Sequence, residues 1–380
     1  MDMTTIYLIR HGQAEGNLYR RCHSWHNGLL TLKGREQVKA LEKRFEGIQF
    51  DAVYSSDLYR AMSTAGAIYR PRGLALRIDP GLREIGAGVW EDVPWGQLLH
   101  DHRDSLTAFL GCDDGWSVEG CETFPQVRAR MDRAIRRIAA AHPGQTVAVV
   151  SHGCAIRCGL SVWLQTATSQ IPLGDNTSVA RLEAENGQIR VYRYNDESHL
   201  PSSDVPKASI AYGIPGIERN ALRFTPLSLP RGEALYLSAR REGWRSAFGT
   251  EDGFDGDALL REAEKNCAQD PGCLLSAWLG DAFVGVLQMD WERDEAQQAA
   301  WLPFLYIAPE FRGRGLGVQL LGQAVSVCRP VGRQALRLCC APGDRRTEGF
   351  CHSHGFYKTG EQADGAIRLD IMEKYIGLEL

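Results

Sequence analysis

Apolar residues fall along this chain in two rhythms. Residues 4 to 10, TTIYLIR, form a short apolar run that predicts a buried strand, and residues 31 to 46 bring Val38, Ala40, Leu41 and Phe45 round at helical spacing. The couplet returns as FDAVYSS followed by DLYRAMSTAGAIY. It returns again as a long helix around Val127 to Ala141, the strand TVAVVSHG and the apolar helix CAIRCGLSVWL. Strands alternating with helices predict a mostly parallel, wound sheet with helices on both faces. In SVARLEAENGQIRVYRYN the pair Asn186-Gly187 separates two alternating runs, which predicts a hairpin closing a first domain over residues 1–198.

Residues 199–219, HLPSSDVPKASIAYGIPGIER, mix Pro, Ser and Gly without a sustained period and read as a linker. A second domain over residues 220–380 predicts helices near Glu233 to Phe248 and Asp257 to Cys267, and a strand pair turning at Gly280-Asp281. The strand FLYIA, a glycine-rich turn, the helix VQLLGQAVSVC and the strand ALRLCCA follow. This is a mixed α/β order of a different kind, and no internal repeat links the halves.

Composition narrows the picture. With 380 residues, 44% of them hydrophobic and 24% charged, the chain is an ordinary globular protein long enough for two cores. Lys and Arg number 43 against 47 Asp and Glu, a net charge of −4, so no basic excess points to nucleic acid and any anion site must be local. Eleven cysteines are scattered without paired C-x-x-C spacings, which argues against zinc modules and a disulfide framework and for free thiols in a reducing cytoplasm. Arg10 and His11 interrupt the first apolar run too early for a signal peptide. No later run reaches the roughly 20 residues of a membrane span. The expectation is a cytoplasmic protein that acts on small molecules, with no nucleic-acid or membrane partner; its oligomeric state is left open.

Three predicted strands end in chemistry-bearing residues: Arg10-His11-Gly12, Ser55-Ser56 leading to Arg60, and Ser151-His152-Gly153. Open α/β sheets bind ligands at that carboxyl edge. Two arginines and two histidines delivered there suit a phosphate dianion. The segments LIRHGQAEGN, LTLKGREQ, SSDLYRAMSTA, LREIGAGVWED, GCETFPQVRARM and VAVVSHG, in this order, resemble the histidine phosphatase superfamily, the phosphoglycerate-mutase-like phosphatases. The resemblance implies a three-layer α/β/α fold in which His11 becomes phosphohistidine. It further implies that Arg10, Arg60 and His152 form the phosphate pocket, that Asn17 donates to a phosphate oxygen, that Glu84 supplies a proton to the leaving group, and that no metal is required. The short insert between Glu84 and Gly120 resembles the family's phosphatases more than its mutases. Chemically, His11 must attack as neutral imidazole, His152 is most useful protonated, and Glu84 is expected to be partly shielded from water. Trp90, Trp95, His100, His102, Phe109 and Trp116 in the insert either pack on the sheet or close over a substrate.

In FLYIAPEFRGRGLGVQLLGQA an apolar strand runs into Arg312-Gly313-Arg314-Gly315-Leu316-Gly317 and then an apolar helix, offering backbone amides at a helix N-terminus. The spacing fits neither a dinucleotide fingerprint nor a Walker loop. Arg-x-x-Gly-x-Gly after a strand resembles the acetyl-CoA loop of the GCN-five-related N-acetyltransferases (GNAT). That resemblance implies acetyl-CoA as cosubstrate, held by amides from Arg312 to Gly317, with the Ile307 backbone near the thioester and an amine as acceptor. Where the family often has an acid-supplying Tyr, this chain has Cys351; Cys351, His352 or water would have to serve, and Asp290 or Glu292 is a candidate base.

The reading is a bifunctional enzyme, a phosphomonoesterase joined to an amine acetyltransferase. Two alternatives stay open: a phosphatase with a non-catalytic acetyl-CoA-binding regulatory domain, and an acetyltransferase with a phospholigand-binding module.

Overall fold

A computed structural model describes residues 3–201, 213–364 and 367–378. The chain divides into two units, residues 1–93 with 101–217 and residues 94–100 with 218–379.

The first unit begins with β1 (Thr4–Arg10), the single turn α1 (Glu15–Leu18), α2 (Leu32–Arg44), β2 (Ala52–Ser55), α3 (Tyr59–Tyr69) and β3 (Leu76–Ile78). Helix α4 (Trp95–Asp101), nearly all of which belongs to the second unit, comes next in the chain; α5 (Arg103–Leu110) and α6 (Phe124–Ala141) return to the first, then β4 (Thr146–Ser151), α7 (Gly153–Trp163), β5 (Val179–Glu185) and β6 (Gln188–Asp196). The six strands lie in the order β3-β2-β4-β1-β5-β6. The first four are parallel, and the β5–β6 hairpin adds antiparallel to β1. Asn186 and Gly187 turn this hairpin with φ of +51° and +74°, the left-handed pair a two-residue hairpin requires.

On one face of the sheet Ile9, Val53, Ala148, Val150 and Val179 meet Leu41 and Phe45 of α2 and Ala61, Ala65 and Ile68 of α3. Both α6 and α7 pack together and against β1, giving the three-layer α/β/α arrangement. The two long helices of this scaffold start on capped ends. Thr31 accepts from the Gly34 amide at 3.0 Å, and Thr123 with Gln126 forms a capping box at α6. Gly34 has a further task. A Cβ there would overlap the Gln13 carbonyl oxygen, so glycine lets α2 close onto the segment after β1.

The second unit is a seven-stranded mixed sheet, β12-β13-β11-β10-β9-β8-β7. Its strands are β7 (Arg223–Pro226), β8 (Leu274–Leu279), β9 (Ala282–Asp294), β10 (Ala299–Ile307), β11 (Ala335–Cys340), β12 (Tyr357–Asp364) and β13 (Ile367–Tyr375), with helices Leu229–Phe248, Gly256–Gln269, Gly317–Cys328 and Arg345–Ser353 between them. Tyr236 and Ala239 of the first helix, Ala263 of the second, and Leu274, Val286 and Tyr306 of the sheet share a core. Parallel β10 and β11 pair only from Ala299 to Trp301 and then diverge, so the half of β10 from Pro303 to Ile307 is splayed away from β11.

Residues 202–212 of the expected linker lie outside the described residues, and its last residues enter a helix, Ile214–Asn220. Pro215 tolerates the first turn, where a helix has no use for its missing N–H.

Candidate active site

β1 delivers Arg10 and His11 side by side, both about 95% buried. The His11 main chain is fastened from three directions: its amide donates to the Ser151 carbonyl at 3.0 Å, and its carbonyl accepts from the Thr177 amide at 3.2 Å and from Asn176 Nδ2 at 3.0 Å. Its Nδ1 lies 2.7 Å from the Gly12 carbonyl oxygen. A carbonyl can only accept, so Nδ1 carries the proton and Nε2 presents its lone pair. Burial, then the guanidiniums of Arg60 and Arg10, push the His11 pKa well below the usual imidazole value, against a smaller opposing pull from the Gly12 carbonyl. A neutral imidazole results.

Arg60 is 1% exposed. Its Nη1 donates to the His26 carbonyl at 3.1 Å and its Nη2 to the Ser24 carbonyl at 2.6 Å. Arg10 donates through Nη1 to the Gly174 carbonyl. Neither Arg10 Nε nor Arg60 Nε has a hydrogen-bond partner, and both are buried. Burial lowers Arg60 to about 10, so it stays charged at neutral pH.

His152 stands at the N-cap position of α7 without a side-chain capping bond, and its ring centroid lies 5.1 Å from that of His11. Its Nε2 sits 2.7 Å from Ser56 Oγ at the end of β2, while its buried Nδ1 has no partner. Burial first, then the charge of Arg60 and the neighbouring His11, hold its pKa well below the usual value when no anion is bound.

Glu84 is half-buried on the irregular segment between two 3₁₀ turns, Pro80–Leu82 and Gly88–Trp90. Its Oε1 accepts from the amides of Ile85 at 3.0 Å and Ala155 at 2.8 Å, and its Oε2 from that of Cys154 at 3.1 Å. His11, Arg60, His152 and Glu84 therefore meet at the carboxyl edge of the sheet and the start of α7. Asn17 Oδ1 accepts from the Ala14 amide at 3.0 Å in the turn that follows β1. In the insert Trp90 and Trp116 are buried and pack against each other and edge-on against Phe109 and Phe124.

In the second unit, Gly313 and Gly315 adopt φ of +74° and +70°, with open space where a Cβ would stand. Backbone conformation, not crowding, calls for glycine there. Among the described residues, the amides of Gly313, Arg314, Gly315, Leu316 and Gly317 donate to no protein acceptor, as expected for the open N-terminus of helix Gly317–Cys328. The Arg312 side chain turns away from these amides. Its Nε donates to the Ile307 carbonyl at 2.8 Å and its Nη2 to Glu242 at 2.5 Å, tying the splayed end of β10 to helix Leu229–Phe248.

Two expected catalytic candidates of this unit, Cys351 and Asp290, are buried. Cys351 is fully buried, and burial pushes its thiol to about 12. Asp290 is buried and accepts from the amides of Glu292 at 3.1 Å and Arg293 at 3.0 Å. Asp344 caps helix Arg345–Ser353.

Residues 6–197 match the family model of the histidine phosphatase superfamily, branch 1. The chain belongs to this superfamily. Residues 237–356 match the acetyltransferase (GNAT) family. Among curated relatives, the probable phosphoglycerate mutase GpmB of Escherichia fergusonii is 30% identical over 193 residues, covering 49% of this chain and 87% of that protein. The protein of the same description from Cronobacter sakazakii is 31% identical over 163 residues, covering 43% and 75%. Among solved structures, Bacillus stearothermophilus YhfR superposes with a TM-score of 0.50 at 31% identity, covering 52% of this chain and 98% of YhfR. These likenesses concern the histidine phosphatase half.

Several residues that shape the site were assigned no role of their own from the sequence. Ser56 holds His152, and Thr64 Oγ1 accepts from the Gly12 amide at 2.9 Å. Asn176 reaches across to the His11 carbonyl from a loop 165 positions away. A serine, threonine or asparagine near a strand end is too common to stand out without the fold.

Proposed function

We propose that the first unit hydrolyses phosphomonoesters through a phosphohistidine at His11, and that the second binds acetyl-CoA and acetylates a small-molecule amine, with modules at 1–198 and 220–380 joined by 199–219. The observation that carries the first half is the neutral, buried His11, its Nε2 lone pair beside two buried guanidiniums whose Nε–H groups lack partners. Unmet charged donors in a buried cup favour an anion of matching geometry.

In this reading the His11 Nε2–P bond forms as the P–O bond to the leaving group breaks, while Arg10, Arg60 and His152 bear the charge on the equatorial oxygens. Glu84 passes its proton to the departing oxygen, then takes one from the water that cleaves the N–P bond, releasing phosphate and restoring His11. The bound dianion counters the Arg60 charge felt by His152 and favours its protonation. Asn17 would contribute through its amide group. The compact insert favours hydrolysis; the description of the curated relatives favours phosphoryl transfer between hydroxyls, and phosphoglycerate interconversion exceeding phosphate release would select that reading. The decisive experiment is rapid quenching with a labelled monoester. An acid-labile, alkali-stable phosphoryl-protein should form in the wild type and be absent, with turnover, in His11→Ala.

The five unpaired amides from Gly313 to Gly317 fit a pyrophosphate, and with Arg312 fastening the loop they would hold acetyl-CoA, which supplies an activated acyl group. The Ile307 backbone at the splayed end of β10 would lie beside that group. One observation favours a regulatory, non-transferring second unit instead: the thiol at the expected acid position is buried and weakly acidic. Release of CoA with any amine in a broad panel would exclude that alternative.

A further inference from the structure

The segment GCETFPQVRARM has two charged side chains that the phosphoryl-transfer chemistry above does not use, Glu122 and Arg130. Glu122 precedes α6 and Arg130 lies in its second turn, on the side of the irregular segment that carries Glu84. All five N–H groups of Arg130 are committed. Nε donates to Glu122 Oε1 at 2.8 Å, and Nη1 to the carbonyls of Gly81 at 3.0 Å and Arg83 at 2.7 Å. Nη2 donates to the Glu84 carbonyl at 2.8 Å and to Glu122 Oε2 at 2.8 Å. The same Glu122 Oε2 accepts from the Gly86 amide at 3.0 Å. The pair thus grips residues 81, 83, 84 and 86, both sides of the acid, with side-chain exposures of 13% and 19%.

Physical necessity accounts for the choice of residues. A half-buried segment without ladder partners must satisfy its backbone groups with side chains, and three carbonyls facing one point repel unless a multi-donor cation sits among them. Only a planar guanidinium offers enough fixed donors for three carbonyls and a carboxylate at once. With every N–H spent, Arg130 has none to offer a substrate. Trp25 Nε1 adds a second donor to the Glu84 carbonyl at 2.7 Å, and the Cys154 and Ala155 amides hold the carboxylate. Glu84 is immobilised at its main chain and at its side-chain tip.

We infer that Arg130 and Glu122 are positioning residues for proton donation by Glu84, without touching the phosphate. The inference rests on the phosphomonoesterase reading and assigns a task to a motif which that reading leaves idle. Its signature is leaving-group dependence. An alkyl phosphate needs a proton on its departing oxygen, whereas 2,4-dinitrophenyl phosphate leaves well without one, so a displaced acid penalises the first and spares the second.

The experiment compares kcat/KM on these two esters in full-length Arg130→Lys and Glu122→Gln. Either variant should lose about tenfold or more on the alkyl ester and under threefold on the dinitrophenyl ester, and Arg130→Lys combined with Glu84→Gln should lose little beyond Glu84→Gln alone, as expected of residues acting as a unit. The ratio of the two rates is immune to partial unfolding, which lowers both equally, and Glu122→Gln stands in should Arg130→Lys fail to fold. Equal losses on the two esters, or additive losses in the double variant, overturn the positioning role while leaving phosphoryl transfer by His11 intact. Full activity of His11→Ala on either ester overturns the underlying reading instead.

Discussion

Oε1 of Glu84 lies 2.8 Å from the Ala155 amide nitrogen, in the first turn of the helix that begins just after His152. The Glu84 carboxyl and the His152 imidazole thus hang on one helix start. A carboxylate at that end gains from the unpaired amides and from the helix dipole.

Replacing Glu84 with Gln keeps an oxygen acceptor for those amides but removes the transferable proton. Phosphate release from an alkyl ester should fall by about 10²- to 10⁴-fold, the range of general acid catalysis. Wild-type turnover in a phosphate-release assay would exclude Glu84 as the acid.

The buried imidazoles make a prediction about pH and stability. In the unfolded chain both titrate near 6.5, whereas in the fold His11 and His152 are held well below it, so the unfolded state binds more protons in between. Stability should be full above about pH 6.5 and fall as pH drops below it, by up to about 1.4 kcal/mol per pH unit for each group. Thermal melts from pH 7 to pH 5 in phosphate-free buffer should show this fall, and a shallower one in His11→Gln/His152→Gln. Identical slopes would mean the imidazoles are charged in the fold.

At Gly315 the backbone holds φ of +70° with open space around the missing Cβ. Gly315→Ala therefore incurs conformational strain of about 1–2 kcal/mol without a clash, and calorimetry should show weaker acetyl-CoA binding while circular dichroism is unchanged. Undiminished affinity would argue that the ligand does not use this loop conformation.

Cys351 is fully buried, with its thiol pushed to about 12. Cys351→Ala should lower the melting temperature by a few degrees, in keeping with about 1 kcal/mol of lost packing. Any CoA release with an amine should persist. Its disappearance from a folded variant would restore Cys351 as an acid.

Much of the fold was legible because local pattern and global topology agree. The run TTIYLIR is β1, the helical spacing after Thr31 is α2, and Asn186-Gly187 turns the β5–β6 hairpin. The short β3 and the splayed half of β10 were not legible: each depends on strand partners set by the rest of the sheet. At the site, the strand-end Arg-His-Gly and His-Gly pairs marked His11 and His152, since a sheet edge is a place that sequence order can locate.

By itself, the amino-acid sequence determined which residue types stand at the strand ends and helix starts, because periodicity and glycine placement are properties of neighbours along the chain. Only the tertiary structure decided their chemical state. Burial beside Arg60 makes both imidazoles weak bases, and enclosure turns Cys351 from a candidate acid into a core thiol. The five bonds of Arg130 make it a clamp behind Glu84. Desolvation, field and hydrogen-bond saturation depend on groups that are distant in sequence and adjacent only once the chain has folded.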